Sequence, residues 1–151
     1  MVRGSLEFGG REVLGAPPER VFAVLTDLDG LPRIIPDVQS SVRHDENALT
    51  CVVRPGFSFL RGTLSLTITA QDMRPPERAD MRTVAKGIGT QITIESKLKI
   101  VADGSGSQLN WQAEITELKG LVAAVSTALV KAAADQVIRQ AWANMRKELG
   151  E

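Results

Sequence analysis

The sequence predicts an α+β fold in which one curved antiparallel sheet packs against a long C-terminal helix. Three observations predict this class. Apolar residues alternate with polar ones between Val38 and Thr116, helical spacing is confined to the two ends of the chain, and turn residues separate the alternating runs. Helices kept to one side of an antiparallel sheet define an α+β layout. A bent sheet around a helix leaves a volume between them, so the inward side chains are expected to line it.

The overall composition is that of one globular domain spanning residues 1–151. Apolar residues make up 43% of the chain and charged residues 24%, which is ordinary for a chain that buries its own core. The 18 basic and 18 acidic residues cancel, so no nucleic-acid partner is expected. The N-terminus lacks the apolar core of a secretory signal. We therefore expect a cytoplasmic protein.

The run from Gly120 to Val130 carries no charge over eleven residues before Lys131 interrupts it. A helix that crosses a bilayer needs about 20 apolar residues. We therefore expect no integral membrane segment, and this run is assigned to the C-terminal helix.

The chain contains a single cysteine, Cys51, and a single histidine, His44. One cysteine cannot form a disulfide within the chain, and one cysteine with one histidine is too few ligands for a Cys/His metal site. Neither a metal nor a cofactor is therefore expected. Cys51 belongs to an alternating run, which favours a buried inert thiol over a nucleophile. His44 belongs to a polar turn and is expected to be solvated.

The N-terminal third combines one strand with two short helical elements. Residues Ser5 to Leu14 are predicted to form a first strand, in which Gly9 and Gly10 suggest a bulge. The stretch 16-APPERVFAVLTD-27 begins with paired prolines before an acidic residue, which is typical of a helix start. The stretch 29-DGLPRIIPDV-38 holds two prolines and allows only a further short helical turn.

The middle of the chain predicts about six strands in succession. Turn signals separate the alternating runs at residues 45–47, 74–78, 87–89 and 103–107. Together with the first strand this gives a seven-stranded antiparallel sheet, with one apolar face and one wet face.

The rest of the chain, from Leu118 to Leu149, is predicted to form one helix of about 45 Å, at about 1.5 Å per residue. Its inward stripe is predicted to consist of Val122, Val125, Leu129, Ala133, Gln136, Val137, Gln140 and Ala141, of which Val125, Leu129, Ala133 and Gln136 are expected to line the cavity. Small side chains in its middle fit either close packing on the sheet or room for a ligand. Gln136 would be a polar group of such a pocket, or an ordinary surface residue.

The space between sheet and helix is the candidate ligand site. Its expected lining consists of Leu64, Leu66, Ile68, Met81, Thr83, Ile92, Ile94, Ser96, Leu98, Trp111, Ala113, Val125, Leu129, Ala133 and Gln136. Phe57 and Phe59 lie in a loop with proline and glycine, and are expected at the cavity mouth. There they would suit a contact with a ligand, a membrane surface or a partner, or they would fold back over the core.

No residue is assigned a catalytic role. Because side chains alternate between the two faces of a strand, the charged strand residues are expected to point away from the cavity. Only Arg54 and Arg61, near strand ends, are candidates for a charge that points inward. General acid–base catalysis needs a titratable group within hydrogen-bond reach of the substrate. The pattern therefore favours binding over catalysis.

Four motifs resemble those of the CoxG family, which is named for a component of carbon monoxide dehydrogenase and belongs to the START/Bet v 1 (SRPBCC) superfamily. They are 16-APPERVFAVLTD-27, IIP at 34–36 followed by DVQS, 61-RGTLSLTI-68 and 135-DQVIRQAWANMRKEL-149. The resemblance covers essentially the whole chain and implies the helix-grip fold: a curved seven-stranded antiparallel sheet, two short helices and a long C-terminal helix. Asp37 stands where many relatives carry glycine.

The resemblance also implies a function. Relatives are linked to aerobic carbon monoxide dehydrogenases of the molybdenum hydroxylase type, as maturation or partner factors, and are associated with lipophilic quinones. It therefore implies a non-enzymatic protein that holds a lipophilic small molecule beside such a hydroxylase. Two alternatives stay open: a cyclase- or hydrolase-like enzyme of the same superfamily, and a protein-interaction module with a collapsed cavity.

Overall fold

The computed structural model describes residues 6–57 and 59–151, in which seven antiparallel strands form one sheet. The strands are β1 (Leu6–Leu14), β2 (Val38–Arg43), β3 (Ala48–Val53), β4 (Leu64–Arg74), β5 (Arg78–Gly87), β6 (Thr90–Asp103) and β7 (Gly106–Gly120). Their order is β1-β7-β6-β5-β4-β3-β2, so β2 to β7 form a meander and β1 lies beside β7. The predicted start of the first strand, Ser5, lies outside the described residues.

Two helices and two short 3-10 turns complete the described part of the chain. Helix α1 (Pro18–Thr26) and the 3-10 turn Leu31–Arg33 connect β1 to β2. The 3-10 turn Leu121–Ala124 leads from β7 into helix α2 (Thr127–Glu148). The α+β helix-grip class predicted from the sequence is confirmed. None of the helices in the described part of the chain is long and apolar enough to cross a membrane.

The predicted bulge at Gly9 and Gly10 is wrong. Strand β1 pairs with β7 without a shift of register along its whole length, and Gly10 lies opposite Trp111. A Cβ atom on Gly10 would come within 3.0 Å of the Trp111 ring. This glycine therefore makes room for an indole that packs across the neighbouring strand. The register shifts occur in β2–β3, β4–β5 and β6–β7 instead, where they bend the sheet.

The C-terminal helix begins later than the sequence pattern predicts. Leu118 still pairs with Ile92 in the sheet, and Gly120 turns the chain with a φ of 78°. Ser126 is the N-cap of α2, because its Oγ accepts a hydrogen bond from the backbone N–H of Leu129 at 3.2 Å. The predicted helix start at Leu118 is therefore wrong by nine residues, since α2 begins at Thr127.

The C-terminal end of α2 is fixed to the rest of the protein by polar contacts. Arg146 forms an ion pair with Glu12 at 2.8 Å, and the amide of Asn144 donates to the carbonyl of Ile34 at 2.9 Å. Met145, between them, is fully buried. These contacts hold the helix against β1 and the α1–β2 connection.

Cys51 lies in the core, as predicted, with no exposed surface. Burial disfavours the thiolate and raises the pKa of the thiol. Burial of the neutral thiol therefore stabilises the folded state, and this contribution is fully present at pH values below the thiol pKa of the unfolded chain. It is lost as the pH rises through the raised pKa of Cys51 in the folded protein. His44 is exposed, as predicted, and its ring Nε2 lies 2.6 Å from the Thr50 hydroxyl.

Cys51 is expected to resist thiol reagents in the native protein. At about pH 8, just below the ordinary thiol pKa of about 8.5, modification should proceed only as fast as the core opens. Ellman's reagent, added with and without denaturing urea, measures this difference. Equal rates in the two conditions would show that the thiol is accessible in the folded state.

Candidate functional site

A cavity of about 370 Å³ lies between the concave face of the sheet and α2. The sheet forms its floor and helix residues between Val130 and Trp142 form its roof. The α1–β2 connection and the β3–β4 loop contribute further lining residues, among them Ile35 and Phe57. The sheet and α2 are therefore not in full packing contact over this region, although the small side chains on α2 would allow it.

Cross-strand pairing explains how the floor is built. In an antiparallel sheet, directly paired residues point to the same face, so one inward residue predicts its neighbours. Two of the resulting rows are Ile68, Thr83, Ile94 and Ile115, and Met81, Ser96, Ala113 and Phe8. All eight line the cavity. The charged partners point the other way, as shown by the 3.3 Å ion pair between Arg82 and Glu95 on β5 and β6.

Most of the predicted lining residues surround this cavity. The structure places there Leu64, Leu66, Ile68, Met81, Thr83, Ile92, Ile94, Ser96, Leu98, Trp111, Ala113 and Ala133, together with Phe57 and Phe59. The two phenylalanine rings stack with centroids 5.5 Å apart and are half-buried. They pack against the core and line the cavity as well, while their contact with a ligand, a membrane surface or a partner stays a prediction.

Three predicted lining residues lie elsewhere. Leu129 is 50% exposed, and Gln136 is exposed as well. Val125 precedes α2 and packs against the small cluster around Ile115 rather than lining the cavity. The predicted stripe was displaced because it was continued from Val122 and Val125, neither of which belongs to α2, although Val122 itself lines the cavity.

The helix face that lines the cavity consists of Val130, Ala133, Ala134, Val137, Ile138, Ala141 and Trp142. Three of these seven, Ala133, Val137 and Ala141, belong to the predicted stripe, and the other four were missed. Ser126 and Thr127 could have indicated where the helix begins, since a serine or threonine before an apolar helical pattern is typical of an N-cap.

The α1–β2 connection supplies lining that the sequence pattern did not predict. Leu31, Ile34, Ile35, Pro36 and Asp37 all contact the cavity. The signal was the apolar run IIP within an otherwise polar segment, since apolar loop residues need a surface to cover.

The aromatic residues of the cavity include both tryptophans of the chain. Trp111 on β7 and Trp142 on α2 have ring centroids 5.6 Å apart and planes inclined by 58°. Trp111 packs over Gly10 of β1, and Trp142 contacts it from the helix side. A ligand in the cavity would lie close to both indoles.

The cavity is poor in charge. Among the described lining residues Asp37 is the sole ionisable one, and Arg54 and Arg61 are exposed outside it. Thr83 and Ser96 add hydroxyl groups to an otherwise mainly apolar floor. A general acid–base pair would need a second titratable group near Asp37. No cluster of three metal-ligating side chains occurs within residues 6–57 and 59–151.

Comparison with known proteins identifies the family. The model of the CoxG family, whose description names a component of carbon monoxide dehydrogenase, matches residues 10–150. The chain belongs to the CoxG family. No curated protein matches it significantly.

Solved structures of other proteins show the same fold. A conserved protein from Geobacillus kaustophilus superposes with a TM-score of 0.88 at 20% identity, covering 96% of this chain and 95% of that one. Ara h 8.0201 gives a TM-score of 0.70 at 15% identity, covering 98% and 100%. A START superfamily protein from Mycobacterium smegmatis gives 0.70 at 14%, covering 96% and 97%. The CoxG chain thus has the START/Bet v 1-like fold.

The backbone at Asp37 forms a tight turn beside the cavity. Its φ is 63°, in the left-handed region that glycine enters freely and aspartate tolerates better than most residues. Its carbonyl accepts a hydrogen bond from the N–H of Arg54 at 3.1 Å, which joins the α1–β2 connection to the β3–β4 loop. The requirement at this position is thus a turn that joins two lining segments.

Proposed function

We propose that this CoxG-family protein binds a lipophilic small molecule in the cavity under α2 and carries out no catalysis. The observation that supports the proposal is an open volume of about 370 Å³ with one ionisable residue in its described lining. Small-molecule sites are mostly apolar clefts of about 300–1,000 Å³ with a few polar groups. Each buried methylene of a ligand contributes about 0.8 kcal/mol.

A quinone is the ligand class that best fits the family and the site. The family description names a component of carbon monoxide dehydrogenase. The proposed role is that of an accessory or electron-transfer partner of an aerobic, molybdenum-containing hydroxylase of this type. The aromatic lining of Phe57, Phe59, Trp111 and Trp142 suits a flat conjugated ring, and Thr83 and Ser96 provide hydroxyl donors for its carbonyl oxygens.

The two alternatives have less support. A cyclase- or hydrolase-like enzyme would need a second titratable group beside Asp37, and the described lining contains none. A module with a collapsed cavity is difficult to reconcile with the open space under α2.

Tryptophan fluorescence provides a direct test, because the chain's two tryptophans both line the cavity. We expect a short-chain ubiquinone to quench this fluorescence saturably and to raise Tm, since a ligand that binds only the folded state stabilises it. Native mass spectrometry of the purified protein would identify any lipid retained from the cell. If quinones and lipids left both fluorescence and Tm unchanged, the proposed function would be wrong.

A further inference from the structure

The two tryptophans of the cavity each carry an unpaired hydrogen-bond donor. Nε1 of Trp111 and Nε1 of Trp142 are buried, and neither N–H has an acceptor among residues 6–57 and 59–151. An indole nitrogen can only donate, and a donor removed from water without an acceptor destabilises the folded protein. Buried polar groups are nearly always paired, so each exception needs a physical reason. Two of the exceptions in this protein belong to adjacent rings, whose centroids are 5.6 Å apart.

The tryptophan pair lies where the cavity ends. Trp111 pairs across the sheet with Leu98, and both residues line the cavity. The next inward pair along the same strands, Ile100 with Leu109, is buried in the core and lies outside the lining. The two rings therefore border open space on one side and filled core on the other. A rotation about χ2, which has a broad energy well in tryptophan, would turn an indole N–H toward the open side.

Two neighbouring residues make this part of the lining suitable for an oxygen atom. Gly10 has no side chain beside the indole N–H of Trp111, where a Cβ atom would come within 3.1 Å of Nε1. Ser96 lines the cavity and pairs with Ala113, so it is a diagonal neighbour of Trp111, with Cβ atoms roughly 7 Å apart. Its hydroxyl adds a further donor close to the two indoles.

We propose that the tryptophan pair binds a carbonyl oxygen of the ligand, and that it makes the cavity selective for quinones and other lipophilic ketones over hydrocarbons and fatty acids. Both indole N–H groups donate to that oxygen, which has two lone pairs. The described lining contains no lysine, arginine or histidine, so a carboxylate in the same place would be a buried charge without a partner. The inference rests on the proposed function and names the ligand class of that same site.

A matched pair of ligands tests the selectivity by isothermal titration. The two are 2,3-dimethyl-1,4-naphthoquinone and 2,3-dimethylnaphthalene, which have the same carbon skeleton and differ in the two oxygens. The double variant Trp111→Phe with Trp142→Phe keeps aromatic rings and removes both donors. We expect it to lower the ratio of quinone affinity to hydrocarbon affinity about tenfold, the effect of one or two lost hydrogen bonds. Phe57→Leu is the control, because it removes aromatic lining without removing a donor and should leave the ratio unchanged.

The indole N–H signals of the unaltered protein provide a second measurement, which does not depend on the folding of the double variant. The chain has two tryptophans, so its ¹⁵N–¹H spectrum contains one indole signal for each. We expect the quinone to move both proton signals downfield, since a hydrogen bond deshields the proton. The hydrocarbon, which has no acceptor, should not do so.

Failure of this inference is distinguishable from failure of the proposed function. An unchanged affinity ratio in the double variant, or indole signals that the quinone leaves unmoved, would overturn the acceptor site while binding in the cavity still stood. An equal fall of the ratio in Phe57→Leu would overturn it too, and so would dodecanoate binding as tightly as the quinone. If neither naphthalene compound bound to the unaltered protein, the proposed function would fail together with this inference.

Discussion

Ala134→Trp is expected to lower the affinity for lipophilic ligands at least about a hundredfold, or roughly 2.7 kcal/mol, while the protein stays folded. Ala134 lies on the face of α2 that forms the roof of the cavity. An indole in place of its methyl group would project into the 370 Å³ of open space that a ligand would otherwise occupy. Because that space is empty of side chains, the larger residue should cause little of the strain that overpacking causes in a filled core.

The matched control is Ala132→Trp, which makes the same change at an exposed position on α2. Leu129→Trp serves as a second control, because Leu129 is exposed rather than part of the roof. The ligand-dependent rise in Tm is the suitable measurement, since an added indole would complicate fluorescence. If Ala134→Trp retained binding, or if Ala132→Trp lost it equally, the ligand would lie outside the cavity.

The floor of this site was predictable from the sequence because a strand has only two faces. In β6 a single inward residue, such as Ile94, determines the side of every alternate neighbour. Pairing then extends the same face to Thr83 on β5 and Ile68 on β4. Register shifts in the sheet left this assignment intact, since the apolar pattern within each strand already follows the pleat.

The roof was harder to predict, because a helix face depends on which apolar residues belong to the helix. Val122 and Val125 have the spacing of a helical stripe, yet they lie in a 3-10 turn and at its end. Each residue of a helix turns the side-chain direction by about 100°, so a stripe continued from residues outside the helix is rotated away from the true face. The predicted stripe therefore shares only Ala133, Val137 and Ala141 with the face that lines the cavity. Val130 and Ala134 were missed in this way.

The ends of the cavity could not be predicted from local pattern. Leu31 and the residues from Ile34 to Asp37 line it because the chain folds back across the mouth, and neither a period of two nor a helical period describes such a segment. The turn at Asp37 and its hydrogen bond to Arg54 join residues from separate parts of the chain. These contacts depend on the tertiary fold alone.

Leu109→Ala is expected to cost about 2–5 kcal/mol in the free energy of unfolding, while Leu66→Ala should cost well under about 2 kcal/mol. Leu109 on β7 has no exposed surface and belongs to the main core cluster, so its truncation removes contacts on every side. Leu66 lines the cavity, where part of its surface already faces open space. Removing its branch therefore enlarges an existing void and sacrifices fewer contacts.

Urea unfolding of the two variants measures this difference, and the ligand titration should give the opposite order. Leu66→Ala removes apolar surface that a ligand would contact, whereas Leu109 lies outside the lining, so its variant should bind normally wherever it is folded. Equal losses of stability would mean that the space under α2 is filled in solution. The expected separation follows from the architecture: the buried core around Leu109 and the fixed C-terminal end of α2 hold the fold, which leaves a cavity between α2 and the concave face of the sheet.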